Sequence, residues 1–128
     1  MTAPERFILI DDNEADNVYH EIMIRRAGFT GDILVFESGI EALAYLKTDP
    51  LSTPTCIYLD INMPLMDGFE FALEATPLLK GKPTVMLVML TSSGSPKDRE
   101  RVGEIPVIQG FVTKPLLVDA VRDMLQRG

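Results

Sequence analysis

The sequence predicts an α/β fold in which a five-stranded parallel sheet, with strand order 2-1-3-4-5, carries helices on both faces. Five short apolar runs are mostly continuous rather than alternating, as in strands that are buried on both faces. The segments between these runs have helical spacing, so strand and helix alternate five times. That alternation is typical of right-handed crossovers between parallel strands, and a length of 128 residues predicts one domain.

The predicted strands are the apolar runs themselves. They cover residues 7–10, 33–36, 56–59, 85–90 and, less continuously, 107–108 with 111–112. The third run contains Cys56, and a single cysteine excludes an internal disulfide. We expect Cys56 to be a small core residue of a protein in the reducing cytosol.

The first two helices are predicted from spacing and from capping residues. The residues expected to share the buried face of the first helix are Ala15, Val18, Tyr19, Ile22 and Met23. Gly28 follows as a C-terminal cap. Residues 38–41, Ser-Gly-Ile-Glu, form a capping box for a second helix, which ends at Asp49 because Pro50 follows.

The remaining helices have weaker or more polar patterns. Residues 67–70, Asp-Gly-Phe-Glu, open the third helix, and Pro96 stands at a tolerated first-turn position of the fourth. The fourth helix is mostly polar, with Val102 as its main apolar contact, and so little apolar surface makes a helix marginal. The predicted stripe of the last helix is Leu117, Ala120, Val121, Met124 and Leu125.

The charge of the chain excludes some classes of function. The formal net charge is −7, and an acidic surface repels the phosphates of nucleic acids and membranes. The first strongly apolar stretch, residues 7–10, is too short for a signal peptide, and no later stretch is long enough to cross a bilayer. We therefore expect no direct nucleic-acid binding and no membrane insertion.

Polar residues follow four of the predicted strands. Asp11 and Asp12 come after the first, Asp60 ends the third, Thr91 ends the fourth, and Lys114 follows the fifth. In the order 2-1-3-4-5 the first and third strands are neighbours, so the three acids are expected to cluster. Lys114 lies two strands from Asp60, roughly 10 Å of sheet, which a lysine can largely span.

Such a cluster of carboxylates requires a cation or a retained proton. At about 4 Å and an effective dielectric near 20, one pair of carboxylates repels by about 4 kcal/mol. Oxygen ligands at a shallow site suit Mg²⁺, which often bridges a carboxylate and a phosphate. Thr91 adds a hydroxyl and Lys114 a point charge suited to a phosphoryl oxygen. The combination indicates transfer of a phosphoryl group onto a carboxylate.

Four sequence segments together resemble the receiver domains of response regulators in two-component signalling, of the stand-alone, chemotaxis-regulator-like type. They are the acid pair 11–12, the stretch 60–68 (Asp-Ile-Asn-Met-Pro-Leu-Met-Asp-Gly), Thr91, and 111–115 (Phe-Val-Thr-Lys-Pro). The resemblance covers nearly the whole chain. It implies a flavodoxin-like three-layer sandwich and a single receiver domain over residues 1–128 with no output domain.

The resemblance also implies the roles of the site residues. Asp60 is implied to be the phosphoacceptor. The implied Mg²⁺ ligands are Asp12, Asp60 and the backbone carbonyl of Asn62, with Asp11 acting mainly through water.

Three further residues take part in the implied phosphoryl contact and switch. Lys114 and Thr91 are implied to contact the phosphoryl group. Thr91 and Phe111 occupy the switch positions, and phenylalanine at the second lacks the hydroxyl that a tyrosine would use to report the state.

The implied function is a phosphorylation-dependent switch in the cytoplasm. The phosphoryl donor would be a phosphohistidine on a sensor histidine kinase or a histidine phosphotransfer protein. Output would be binding of a downstream protein target, or passage of the phosphoryl group along a relay. The chain would catalyse only its own phosphorylation and dephosphorylation. The last helix and the region of the fourth helix and fifth strand are the expected partner surface.

Three other functions fit parts of the pattern. An FMN electron carrier shares the sheet order, but its phosphate loop is rich in hydroxyls and glycine, whereas this chain has Asp-Asp-Asn-Glu at 11–14. An aspartyl-phosphate phosphatase would carry an Asp-x-Asp motif after an early strand. A receiver-like scaffold that is never phosphorylated is the third. The only histidine, His20, is expected on the surface or partly buried, without a catalytic role.

Overall fold

The computed structural model describes residues 3–92 and 95–126, which form a five-stranded parallel sheet in the order β2-β1-β3-β4-β5. The strands are β1 (Arg6–Ile10), β2 (Asp32–Phe36), β3 (Thr55–Asp60), β4 (Val85–Thr91) and β5 (Ile108–Thr113). The helices are α1 (Glu14–Arg26), α2 (Gly39–Thr48), α3 (Gly68–Leu79), α4 (Pro96–Gly103) and α5 (Val118–Leu125). The predicted fold class and strand order are confirmed.

The sheet separates two hydrophobic clusters because successive side chains of each strand point to opposite faces. Phe7 and Leu9 of β1 pack with residues of α1 and α5, including Ile24 and Val121. On the other face, Ile8 and Ile10 pack with residues of α2 and α3. Every residue of β1, β3 and β4 is buried, whereas the edge strands β2 and β5 are partly exposed. Each fully buried large apolar side chain contributes about 1.5–3 kcal/mol.

The predicted capping residues hold the helix ends. Ser38, Asp67 and Ser95 each accept a hydrogen bond from a backbone N–H in the first turn of their helix. The return bond that completes a capping box is present at Asp67, where Glu70 Oε1 accepts from the backbone N–H at 3.0 Å. The capping box predicted for residues 38–41 is half formed, since only the bond from the Glu41 N–H to Ser38 is described. Gly28 follows the end of α1 with a φ of +101°, a left-handed conformation that glycine adopts without strain.

The predicted buried face of α1 is confirmed for Met23 and wrong for the other four residues. Val18 and Ile22 are 54% and 45% exposed, whereas the side chains turned toward the sheet include Asn17, His20 and Ile24. These last three are spaced as one helical face, but two of them are polar, so hydrophobic periodicity does not detect them. His20 is 2% exposed, so the expectation of a surface or partly buried histidine is also wrong.

The last two helices are less firmly buried. Within α5, Val121 and Met124 are buried as predicted, but Leu117 is the N-cap residue and is 58% exposed. No residue of Pro96–Gly103 in α4 is buried, and Val102 is half-buried against the core. Arg99 and Arg101 of α4 also lie over aromatic rings, those of Phe111 and Phe69.

In residues 3–92 and 95–126, no helix has the length and apolar character that a membrane crossing needs.

Candidate functional site

Three carboxylates meet at the carboxyl edge of the sheet. Asp11 directly follows β1 and is 1% exposed, Asp60 ends β3 and is 6% exposed, and Asp12 is exposed. One carboxylate oxygen from each lies within 4.8 Å of the others. They converge because β1 and β3 are paired neighbours, with Ile10 opposite Leu59, so both strands end at the same place.

Lys114 reaches this cluster from β5. Its ammonium Nζ lies 2.8 Å from Asp11 Oδ2, 2.9 Å from Asp16 Oδ2 and 3.2 Å from Asp60 Oδ1. The backbone N–H of Lys114 donates to the carbonyl of Thr91 at 2.7 Å, which fixes the start of the side chain beside β4. The lysine therefore spans the gap of two strands that the sequence predicts.

Asp16 is a contact that sequence analysis did not predict. It lies in the first turn of α1, where an acidic residue is already explained by its favourable interaction with the helix dipole. No pattern in the sequence distinguishes the contact with Lys114 from this ordinary role.

Residues at the start of α1 orient Asp11. The backbone N–H of Asn13 donates to Asp11 Oδ1 at 2.9 Å, which leaves Oδ2 for Lys114. The amide Nδ2 of Asn17 donates to the backbone carbonyl of Asp11 at 2.8 Å. Burial lowers the pKa of His20, one turn further along α1, and the charge of Lys114 lowers it further. This buried imidazole is therefore neutral at pH 7.

The electrostatics of the cluster favour bound cations and protons. Burial and, after it, the Asp11 charge raise the pKa of Asp60 to about 6, against the opposing effect of the Lys114 ammonium. Burial alone would lower the pKa of Lys114, but its hydrogen bonds to Asp11 and Asp16 outweigh this and raise it. The ammonium thus stays charged, while the Asp60 carboxylate is destabilised relative to an exposed aspartate.

The open pocket above these groups has a volume of about 370 Å³. Its lining residues are Asp11, Asp12, Asn13, Asp16, Asp60, Asn62, Ser92 and Lys114. Asn62 is exposed two residues beyond Asp60, while Thr91 is buried at the end of β4. Phe111 is half-buried on β5, beside Met89 of β4, and does not line the pocket.

The segment 60–68 returns closely to its own start. The backbone N–H of Gly68 donates to the carbonyl of Ile61 at 2.8 Å. A Cβ at position 68 would lie 2.5 Å from the carbonyl oxygen of Asp60 and 2.9 Å from the Cα of Ile61. Glycine is therefore required at position 68, because only a residue without a Cβ lets α3 begin this close to the end of β3.

Comparisons with known proteins indicate the family of this chain. Residues 7–126 match a family model described as the response regulator receiver domain. Protein-glutamate methylesterase/protein-glutamine glutaminase 3 of Rhodospirillum rubrum is 41% identical over 110 residues, 84% of this chain and 28% of that protein. Sensor histidine kinase CheAY of Helicobacter pylori is 31% identical over 128 residues, 98% of this chain and 15% of that protein. The chain thus spans less than a third of the length of either relative.

A solved structure supports the same assignment. The crystal structure of a response regulator receiver protein from Dyadobacter fermentans has a TM-score of 0.84 and 28% identity, covering 94% of each chain. The family match spans nearly all of the sheet and all five helices described above. The chain therefore belongs to the response regulator receiver domain family, whose members act as signalling switches.

Proposed function

We propose that Asp60 accepts a phosphoryl group from a phosphohistidine on a sensor histidine kinase or histidine phosphotransfer protein. A lone pair of an Asp60 carboxylate oxygen forms the new P–O bond, and the P–N bond breaks so that its electron pair stays on the nitrogen of the departing imidazole. The observation that carries the proposal is the 3.2 Å contact between Lys114 Nζ and Asp60 Oδ1 inside the acidic pocket.

Asp60 is the best candidate nucleophile of the three acids. Both oxygens of Asp11 are engaged, Oδ1 by the Asn13 N–H and Oδ2 by Lys114. Asp12 is exposed and lacks a described contact with the ammonium. Asp60 combines burial with a single described cation contact, and with a pKa of about 6 it is mostly ionised at neutral pH.

The donor set fits Mg²⁺. Three carboxylates each offer an oxygen within 4.8 Å of the others, and hard oxygen ligands are those that Mg²⁺ prefers. Asp12, Asp60 and the backbone carbonyl of Asn62 would hold the ion directly, and Asp11 mainly through water. A bound Mg²⁺ supplies positive charge that offsets the repulsion of the acids and neutralises charge on the phosphoryl oxygens.

The chain's own residues complete the stabilisation. Lys114 donates an N–H to a phosphoryl oxygen, and its raised pKa keeps the ammonium charged during the transfer. The hydroxyl of Thr91 contacts a second oxygen from the end of β4. The Lys114 ammonium already lies 3.2 Å from Asp60 Oδ1 before the reaction, so this charge needs little reorganisation when negative charge moves onto the phosphoryl group.

Phosphorylation then changes a protein-binding surface. Thr91 moves toward the phosphoryl group, and the ring of Phe111 turns inward behind it. The surface of α4, β5 and α5 responds, and it binds a downstream protein target or the phosphoryl group passes along a relay. A shift from 1:99 to 99:1 between the two states requires a differential contact energy of about 5.5 kcal/mol. We place this activity in the cytoplasm, where the phosphohistidine donor would be met.

Intact-mass measurement after incubation with acetyl phosphate and Mg²⁺ tests the proposal. One added phosphoryl group is expected on the wild type, and none on Asp60→Asn or in the presence of EDTA. Asp67→Asn is a matched control, because this aspartate caps α3 outside the pocket. An unmodified wild type with both acetyl phosphate and a phosphorylated histidine kinase would exclude the proposed function.

A further inference from the structure

The Lys114 ammonium donates hydrogen bonds to two carboxylates, Asp11 Oδ2 at 2.8 Å and Asp16 Oδ2 at 2.9 Å. It also forms an ion pair with Asp60, whose Oδ1 lies 3.2 Å away, and a lysine ammonium has three N–H donors. The two shortest contacts are to Asp11 and Asp16. Asp60 therefore meets an ammonium whose place is set by two other residues.

The backbone holds Asp16 where it meets the lysine. Asn13 caps α1, and its side-chain oxygen accepts the backbone N–H of Asp16 at 3.1 Å. Asn13 is fixed in turn by its own N–H, which donates to Asp11 Oδ1 at 2.9 Å. Asp11 and Asp16 are thus joined through one cap residue, and both place a carboxylate oxygen on the same ammonium.

Two acids, Asp11 and Asp16, restrict the conformation of the Lys114 side chain. Lysine is long and flexible, and its ammonium does not have the fixed geometry of a guanidinium. With Asp11 as the only anchor, the ammonium could swing along the pocket rim. Asp16 approaches at that rim, where its side chain is 41% exposed while that of Lys114 is only 15% exposed.

We propose that Asp16 is a positioning residue, which holds the Lys114 ammonium so that its third N–H is directed at Asp60 and at a phosphoryl group bound there. This inference rests on the proposed function of Asp60. The opposite role, in which Asp16 competes with the phosphoryl group for the lysine, predicts that loss of Asp16 speeds phosphorylation.

The experiment compares Asp16→Asn, Asp16→Glu and the matched control Glu14→Gln. Glu14 is also an acid in the first turn of α1, but it makes no described ion pair with Lys114. The control therefore removes the same charge from the same helix end. Urea unfolding of each variant shows whether the fold is retained.

The first readout is the ¹⁵N NMR signal of the Lys114 ammonium in the chain without metal, which does not depend on phosphorylation. Asp16→Asn is expected to shift or broaden this signal, Asp16→Glu to restore it in part, and Glu14→Gln to leave it unchanged. An unchanged signal in Asp16→Asn would show that Asp16 does not hold the lysine and would overturn the inference.

The second readout is the rate of phosphorylation by acetyl phosphate with Mg²⁺. Asp16→Asn is expected to lower the maximal rate by about three- to tenfold, as for a misplaced catalytic group, with little change in the half-saturating donor concentration. Asp16→Glu should recover part of the rate. A faster Asp16→Asn would favour the competing role and overturn the inference. A wild type that is never phosphorylated would refute the proposed function instead, while the NMR signal still tests the hold on Lys114.

Discussion

The ammonium of Lys114 lies 3.2 Å from Oδ1 of Asp60. Lys114 follows β5 and Asp60 ends β3, and β4 lies between these two strands in the sheet. The contact places the positive charge where a phosphoryl group on Asp60 would develop negative charge. Lys114→Met should therefore lower the maximal phosphorylation rate by about 10²- to 10³-fold, the usual cost of losing one such donor. Time courses of intact mass with acetyl phosphate measure this effect. Lys97→Met, on the exposed side of α4, serves as the control, and equal rates for the two variants would argue against the role of Lys114.

Without metal, Asp60→Asn should stabilise the fold. The pKa of Asp60 is raised to about 6 even with Lys114 nearby, so the folded chain favours a neutral group at this position. Because a raised carboxyl pKa destabilises the folded state above that pKa, the neutral amide should raise the free energy of unfolding at pH 7.5 by about 1–2 kcal/mol. Urea unfolding in EDTA measures the difference.

With Mg²⁺ present, the wild type should become more stable to unfolding than Asp60→Asn. Mg²⁺ is expected to stabilise the wild type and to have much less effect on Asp60→Asn, because a ligand that binds only the folded state stabilises it. A variant that is less stable than the wild type in EDTA would show that the lysine contact outweighs the repulsion among the acids.

The sequence predicts the acid cluster well because its cause is simple. Parallel strands that are neighbours end at one edge, so Asp11 and Asp60 meet whatever the details of the loops. The face of α1 is not predictable in the same way. Asn17 is buried where its amide donates to the carbonyl of Asp11, and His20 is buried on the same helix face. Hydrophobic periodicity carries no signal for such buried polar groups. The contact of Asp16 with Lys114 was not predicted for a related reason, since an acid in the first turn of a helix is already explained by the helix dipole.

Gly68→Ala should destabilise the chain. The added Cβ would lie 2.5 Å from the carbonyl oxygen of Asp60, a backbone atom that cannot rotate away. We expect the free energy of unfolding to fall by about 1–3 kcal/mol, as for other overpacked positions. Gly103→Ala is the matched control, because Gly103 is a residue of α4, an added Cβ there meets no atom within 4 Å, and alanine has a higher helix propensity than glycine. Urea midpoints of the two variants should move in opposite directions, and a similar loss in both would contradict the steric explanation.

Arg99→Gln should loosen α4. The guanidinium of Arg99 lies 5.0 Å from the centre of the Phe111 ring, and Arg101 lies 4.5 Å from that of Phe69, in a helix without a buried residue. A cation–π contact contributes about 0.5–1 kcal/mol at such sites, so the opening equilibrium of α4 should rise about two- to fivefold. Hydrogen exchange of the amides in Pro96–Gly103 measures this opening.

The matched control for this prediction is Lys97→Gln, which removes a charge from the same helix without a described ring contact. Its exchange rates should equal those of the wild type. If Arg99→Gln also exchanges at wild-type rates, α4 is held by Val102 and its apolar neighbours rather than by the arginine.

Stability should depend on the charge of Asp49 down to strongly acidic pH. Arg6 Nη1 donates to Asp49 Oδ2 at 2.8 Å, and this bond is the main reason that the pKa of Asp49 is lowered to about 2, against the opposing effect of burial. Since the folded pKa lies below the unfolded value of 3.8, the carboxylate stabilises the fold fully above about pH 4. That contribution, about 1–2 kcal/mol after solvent screening, is lost as the pH falls toward 2.

The difference in unfolding free energy between the wild type and Asp49→Asn isolates this effect from the other carboxylates. It should be constant from pH 7 to about pH 4 and then shrink toward pH 2, because protonation removes from the wild type what the variant already lacks. The Tyr45 hydroxyl also donates a hydrogen bond to Asp49 Oδ2 at 2.9 Å. In a Tyr45→Phe background, Asp49→Asn should therefore change the unfolding free energy by less, while the pH range over which the change is lost should stay nearly the same. A difference that stays constant between pH 4 and pH 2 would mean that Asp49 titrates alike in the folded and unfolded chains, so that the Arg6 contact does not hold its charge in solution.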